Sequence, residues 1–134
     1  MNQNSKHDDL NESCKELAFQ TSLLMHQYHT AIRRIYNATE NPDVFHLSFS
    51  PEMDYANVIS KLKDIDSTSP DQRFIFSFNL SMSLLTDPVY KEILCNDFLY
   101  PSEKKWWSKK LTRSVYYRKR KEAMKEFLEE VKRS

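Results

Sequence analysis

The chain has 134 residues, 40% hydrophobic and 13% aromatic, with a formal net charge of only +1. That length and composition fit one domain, or two small helical lobes sharing a core, and exclude wholesale disorder. Glycine is absent, where average usage would give roughly nine; two-residue hairpins and sheet bulges lean on glycine, so an all-α fold is expected. Cys14 and Cys95 stand alone, with no CxxC spacing and no disulfide framework. No signal-peptide core and no apolar run of about 18 residues is present, so a cytoplasmic protein with no membrane segment is expected.

Residues 1–8 are polar and expected to fray. Asp9 with Glu12 has capping-box spacing. Leu10, Cys14, Leu17, Thr21, Leu24, Tyr28, Ala31 and Ile35 then recur at alternating four- and three-residue steps, one long helical stripe. Packing on the rest of the chain is the plain role for that stripe; its a/d character also fits self-association. Asn37 to Pro42 should end the helix.

Phe45, Leu47 and Phe49 alternate briefly in a loop. Ser50-Pro51-Glu52 then reads as a cap with proline at the first helical position, which makes Tyr55, Ile59 and Leu62 the expected buried edge. Ser69-Pro70-Asp71-Gln72 repeats that grammar and adds a capping-box Gln. The stretch 74–84 alternates Phe74, Phe76, Phe78, Leu80, Met82 and Leu84 with small polar residues, which is strand periodicity. On a helix, Phe74, Phe78, Met82 and Leu85 share one face with Ile75 beside them, and the capped start favours that reading. Thr86-Asp87-Pro88 opens a short amphipathic helix through Tyr90, Ile93, Leu94 and Phe98. After Tyr100-Pro101-Ser102 a helix over 103–110 is expected, then a last helix over about 113–132. The division expected is a helical N-terminal lobe, 1–85, and a helix-turn-helix lobe, 86–134.

Charge is divided along the chain. Residues 101–134 hold twelve Lys/Arg against five Glu, a net of +7, and residues 1–100 hold eight against fourteen, a net of −6. Two helices joined by three or four residues, the second one basic, is the helix-turn-helix pattern, and Thr112 is a natural cap for the second. At 100° per residue, Tyr116, Ala123 and Phe127 form a packing stripe flanked by Met124, Leu128 and Val131. The opposite side carries Ser114, Tyr117, Arg118, Lys121 and Lys125, and because the N-terminal turns of the second helix meet the bases, Arg113, Ser114, Tyr117, Arg118 and Lys121 are the candidate base readers. Lys104, Lys105, Lys109, Lys110 and Lys125 are the candidate phosphate contacts. Arg120 falls among the apolar positions, so a structural role is expected: snorkelling, or a pair with a carboxylate. At least one of Trp106 and Trp107 should be buried against the last helix. Cations in the first half of that helix and Glu122, Glu126, Glu129 and Glu130 later oppose the helix dipole, an arrangement that a phosphate-binding role explains.

Asp87-Pro88-Val89-Tyr90-Lys91-Glu92-Ile93-Leu94 through Phe98, then Trp107, Leu111, Arg113-Ser114, Tyr116-Tyr117-Arg118 and Ala123, resembles the end of ArpU-type phage transcriptional regulators. It is also similar to a small mycoplasma protein family with the same ending. Both resemble sigma-factor region 4, in which a capped second helix carries an Ala about eleven residues after the cap, as Thr112 and Ala123 do here. The resemblance covers about residues 86–131 and implies an all-α fold with transcription-linked binding of double-stranded DNA. Nothing resembles the polymerase-binding region of a complete sigma factor.

His26 and His29 are three residues apart but lack a third ligand nearby, and P-loop, nucleophile-elbow and HExxH motifs are missing. A non-enzymatic protein is therefore expected, with no cofactor, no metal and no small-molecule substrate. Duplex DNA is the expected partner, with a homodimer or a contact to RNA polymerase as further options. The alternative is a protein-interaction module working through the first helix.

Overall fold

The computed structural model describes the backbone of residues 3–39 and 47–133, with side chains described from Ser13 onward. Every regular element among them is helical. In chain order these are α1 (Gln3–Thr39), α2 (Tyr55–Ser60), a 3-10 turn (Leu62–Asp64), α3 (Pro70–Ser83), α4 (Pro88–Leu94), a π-helical turn (Cys95–Leu99) that continues α4, and α5 (Arg113–Arg133).

The long stripe of α1 packs inward. Thr21, Met25, Tyr28, Ala31 and Ile32 are buried, and Leu17, Leu24 and Ile35 are partly so. At 37 residues the helix is about 55 Å long. It begins at Gln3, six residues before Asp9, so Asp9 does not start it; the side chains of Asp9, Glu12, His7 and Leu10 lie outside the described residues. α1 is described to Thr39, within the expected stop at Asn37 to Pro42, while the rest of that stop and the position of Phe45 lie outside the described residues.

The cap of α2 is Asp54, not Ser50. Its carboxylate accepts from Asn57 N–H at 2.7 Å while Asn57 Oδ1 accepts from Asp54 N–H at 3.1 Å. Ser50 and Pro51 instead precede a turn closed by Met53 N–H to Ser50 O at 3.0 Å. This delayed start leaves a six-residue helix that ends before Leu62. Val58 is buried, whereas Tyr55 and Leu62 are exposed, contrary to the expected edge.

α3 starts where the sequence grammar puts it, with Ser69 Oγ accepting from Gln72 N–H at 3.3 Å. The Gln72 side chain does not complete a capping box; its Oε1 accepts from Asp66 N–H at 2.9 Å and ties down the preceding turn. The stretch 74–83 is helix, so the cap overrode the alternation. Ile75, Phe78, Met82 and Leu85 are buried on the expected face.

An aromatic spine joins three helices. Tyr28 of α1 stacks on Phe78 of α3 at 4.0 Å, and Phe78 meets Phe127 of α5 edge-on at 5.3 Å. Leu94, Cys95, Leu99, Ala123, Met124 and Leu128 complete the same buried cluster, which draws on both sides of residue 85. A polar clip crosses it. Tyr28 hydroxyl donates to Asn79 Oδ1 at 2.7 Å and accepts from Phe49 N–H at 2.8 Å, and Asn79 Nδ2 donates to Leu47 O at 2.7 Å. The clip holds the 47–49 loop against α1 and α3. Burial pushes the Tyr28 phenol far above its ordinary value, so it stays a neutral donor.

Residues 104–110 form successive turns rather than the expected helix. Lys105 has φ 58°, in the left-handed region that a continuing helix of L-residues cannot enter. Ser108 N–H then bonds Lys105 O, and Leu111 N–H bonds Trp107 O, both at 2.9 Å. α5 is therefore preceded by a turn-rich connector, 100–112, and not by a regular helix a few residues upstream.

Candidate nucleic-acid interface

α5 opens at Thr112, whose Oγ1 accepts from Val115 N–H at 3.4 Å and whose carbonyl accepts from Tyr116 N–H at 2.9 Å. Tyr116, Ala123, Met124, Phe127 and Leu128 are its buried residues, the packing stripe expected from the angular spacing. Glu126, on the flank of that stripe, accepts from Thr86 N–H at 2.6 Å and Thr86 Oγ1 at 3.0 Å, docking the start of α4.

Two cations turn inward. Arg120 Nε lies 3.4 Å from Asp97 Oδ2, and its guanidinium sits over the Phe98 ring at 4.8 Å. That is the structural role its angle implied. Asp97, in the π-helical turn, also accepts from Trp106 Nε1–H at 2.7 Å and from the Tyr116 hydroxyl. Burial, then the bond to Asp97, raises the Tyr116 phenol well above its ordinary value, so it remains a donor. Lys119 Nζ bonds Asp87 Oδ2 at 2.7 Å and lies 5.8 Å above the Tyr90 ring. The bond from Lys119 chiefly holds the Asp87 carboxyl below the usual range; burial opposes it, and the Val89 N–H bond and the Lys119 charge add to the lowering.

The remaining cations of the first half of α5 face out. Arg113, Ser114, Tyr117 and Arg118 are exposed, and Lys121 is half-buried. They form two adjacent rows at helical spacing, Arg113–Tyr117–Lys121 and Ser114–Arg118 continuing to exposed Lys125. The Arg113 guanidinium lies 5.8 Å over the Tyr117 ring. Among the described residues, Arg118, Lys121 and Lys125 make no ion pair. Lys104, Lys105 and Lys109 are exposed on the connector; Lys110, also exposed, makes one surface pair with Glu92 at 3.3 Å. All ten candidate residues thus belong to α5 and its connector, with Lys110 partly engaged.

The tryptophans divide as expected. Trp107 is buried and stacks on Tyr116 at 4.2 Å, nearly parallel at 9°. Trp106 is half-buried against Asp97.

Sequence reasoning missed Asp97 as the organiser of this region. The signal available was Arg120 itself, a cation at an apolar angle that needed a carboxylate. It also missed the inward turn of Lys119, although Lys119 lies three residues after Tyr116 and four before Ala123, beside the packing stripe, whereas Arg118 lies opposite it.

Other chemistry finds little support. His29 Nε2 lies 2.7 Å from Leu99 O in an internal contact. Burial pushes the Cys95 thiol up to about 12, which leaves it inert at neutral pH. Among the described residues, no three His, Cys, Asp or Glu side chains gather as a metal site needs, and no helix is long and apolar enough to cross a membrane. No family model matches the chain, and neither does any curated protein or solved structure.

Proposed function

We propose that this chain is a DNA-binding transcription regulator that reads duplex DNA with the outward face of α5. The observation that carries the reading is the sorting of cations on one helix. Lys119 and Arg120 are held by Asp87 and Asp97, while Arg118, Lys121 and Lys125, beside Ser114 and Tyr117, make no ion pair among the described residues. Structural need alone explains the first pair and not the second group. Arg118 suits bidentate reading of guanine, and Ser114 and Tyr117 suit bases or phosphates. The connector lysines suit phosphates on either side. In this reading the turns over 104–110 do the work that the first helix of a helix-turn-helix does, crossing the backbone while the capped helix enters the major groove. The likeness of residues 86–131 to ArpU-type regulators and sigma region 4 agrees with it.

The test is fluorescence anisotropy on duplex DNA. The Arg118→Ala/Lys121→Ala variant should bind at least about 30-fold more weakly while keeping the wild-type thermal transition. Undiminished binding by that variant would remove the reading.

One observation favours a second reading, a protein-interaction module. Phe19 and Leu23, four residues apart on α1, are 64% and 46% exposed. A second copy of the chain is one such partner. Sedimentation of the wild type beside Phe19→Ser/Leu23→Ser tests this: a dimer that the variant abolishes supports it, and a monomer in both cases counts against it.

A further inference from the structure

A cleft of about 660 Å³ lies between the connector and the first turns of α5. Its size falls within the range of small-molecule sites. It is walled by Lys104, Lys105, Arg113 and Arg120, with Trp106 and Tyr117 on its apolar side. Two carboxylates also line it, Asp97 and Glu103. Asp97 is already occupied by Trp106, Tyr116 and Arg120, so it holds the wall together more than it repels an anion. With the Arg120–Asp97 pair set aside, Lys104, Lys105 and Arg113 against Glu103 leave the cleft electropositive, and the positive end of the α5 dipole adds to that field.

We propose that this cleft binds one nucleotide unit, a phosphate joined to a planar base. The phosphate would meet Lys104, Lys105 and Arg113, and the base would lie against Trp106 and Tyr117. Cations alone suit any anion, and aromatic rings alone suit any apolar ligand; the two together in one cleft select a ligand carrying both. Free nucleotide and the 5′-phosphorylated end of a strand share that chemistry. The cleft and the duplex-binding surface share Lys104, Lys105, Arg113 and Tyr117 but not Arg118 or Lys121, so the Arg118→Ala/Lys121→Ala variant lets the two readings fail separately.

Lys105 supplies a useful variant. Its left-handed φ of 58° is one that glycine accepts freely, so Lys105→Gly removes a cation without disturbing the turn. The experiment is an NMR titration that follows the Trp106 indole N–H, using adenosine monophosphate, inorganic phosphate, adenosine and a 5′-phosphorylated trinucleotide. The nucleotide or the trinucleotide should shift that resonance saturably, and phosphate and adenosine should each bind more weakly. Saturation by the trinucleotide alone identifies the ligand as a strand end; saturation by both identifies free nucleotide as sufficient. Lys104→Ala/Lys105→Gly should weaken the binding at least about tenfold with no fall in thermal midpoint. Arg118→Ala/Lys121→Ala should titrate as the wild type, whatever becomes of duplex binding. No saturable shift with either ligand up to about 10 mM, equal affinity in the Lys104→Ala/Lys105→Gly variant, or loss of the titration in Arg118→Ala/Lys121→Ala would overturn the proposal.

Discussion

At the residue scale Asp97 gathers three donors at the inward side of α5. One carboxylate takes the Trp106 indole, the Tyr116 phenol and the Arg120 guanidinium, joining the π-helical turn, the connector and the last helix. An Asn at this position would point its amide hydrogens at one of those donors. Asp97→Asn should therefore cost about 2–3 kcal/mol in urea denaturation, and a loss under about 0.5 kcal/mol would mean the hub is dispensable. Thr21 gives the opposite case. Its hydroxyl is fully buried on α1 and finds no hydrogen-bond partner among the described residues. Thr21→Val keeps the shape and removes the orphaned group, so it should raise stability by about 1 kcal/mol in the same assay. Arg120 shows what single residues reveal in sequence. Its helical angle announced an inward cation, but Asp97 lies 23 positions away, and no local spacing names such a partner.

At the scale of elements, α4 and α5 are clasped at two points, Asp87–Lys119 and Thr86–Glu126. Asp87 also caps α4, accepting from Val89 N–H at 2.9 Å. Its carboxyl lies lower in the folded chain than in the unfolded one. The stability it contributes is therefore complete above the ordinary carboxylate value and drains as pH falls through the depressed one. Asp87→Asn keeps most of the cap, because Asn serves there too, and loses the pair with Lys119. Its denaturation midpoint should fall modestly at pH 7 and converge on the wild-type value in strong acid. A gap that stays constant with pH would show that the pair contributes nothing.

The elements were unequally legible in sequence. α3 was readable because Ser69-Pro70 fixes a helical start, and a lone strand would have needed a partner that only residues 44–49 could supply. The face of α2 was not, because Ser50-Pro51 and Asp54 both have capping chemistry, and the second gives a six-residue helix that starts at an exposed Tyr55 and ends before Leu62, which is exposed in the 3-10 turn. The connector misled for a similar reason. Lysines, tryptophans and serines have no glycine among them to flag a left-handed residue, yet Lys105 adopts one while Trp106 reaches Asp97.

Over the whole molecule, the acidic first hundred residues and the basic last third share one buried cluster built on Tyr28, Phe78 and Phe127. The Tyr28–Asn79 clip binds the 47–49 loop to that cluster. Tyr28→Phe would leave Asn79 Oδ1 and Phe49 N–H short of a partner in a dry interior, at a cost of about 1–3 kcal/mol to global unfolding. The charge split could be counted from composition, and the packing stripe and the outward rows of α5 could be derived from helical spacing. The cleft beside Trp106 could not, because it depends on a connector without periodicity.

The proposal that α5 and its connector grip duplex DNA is tested most directly by the salt dependence of binding. Five phosphate contacts, from Lys104, Lys105, Lys109, Lys110 and Lys125, should give log K against log salt a slope of about −4.5 on duplex DNA. A slope near zero, or no binding even at about 50 mM salt, would contradict it.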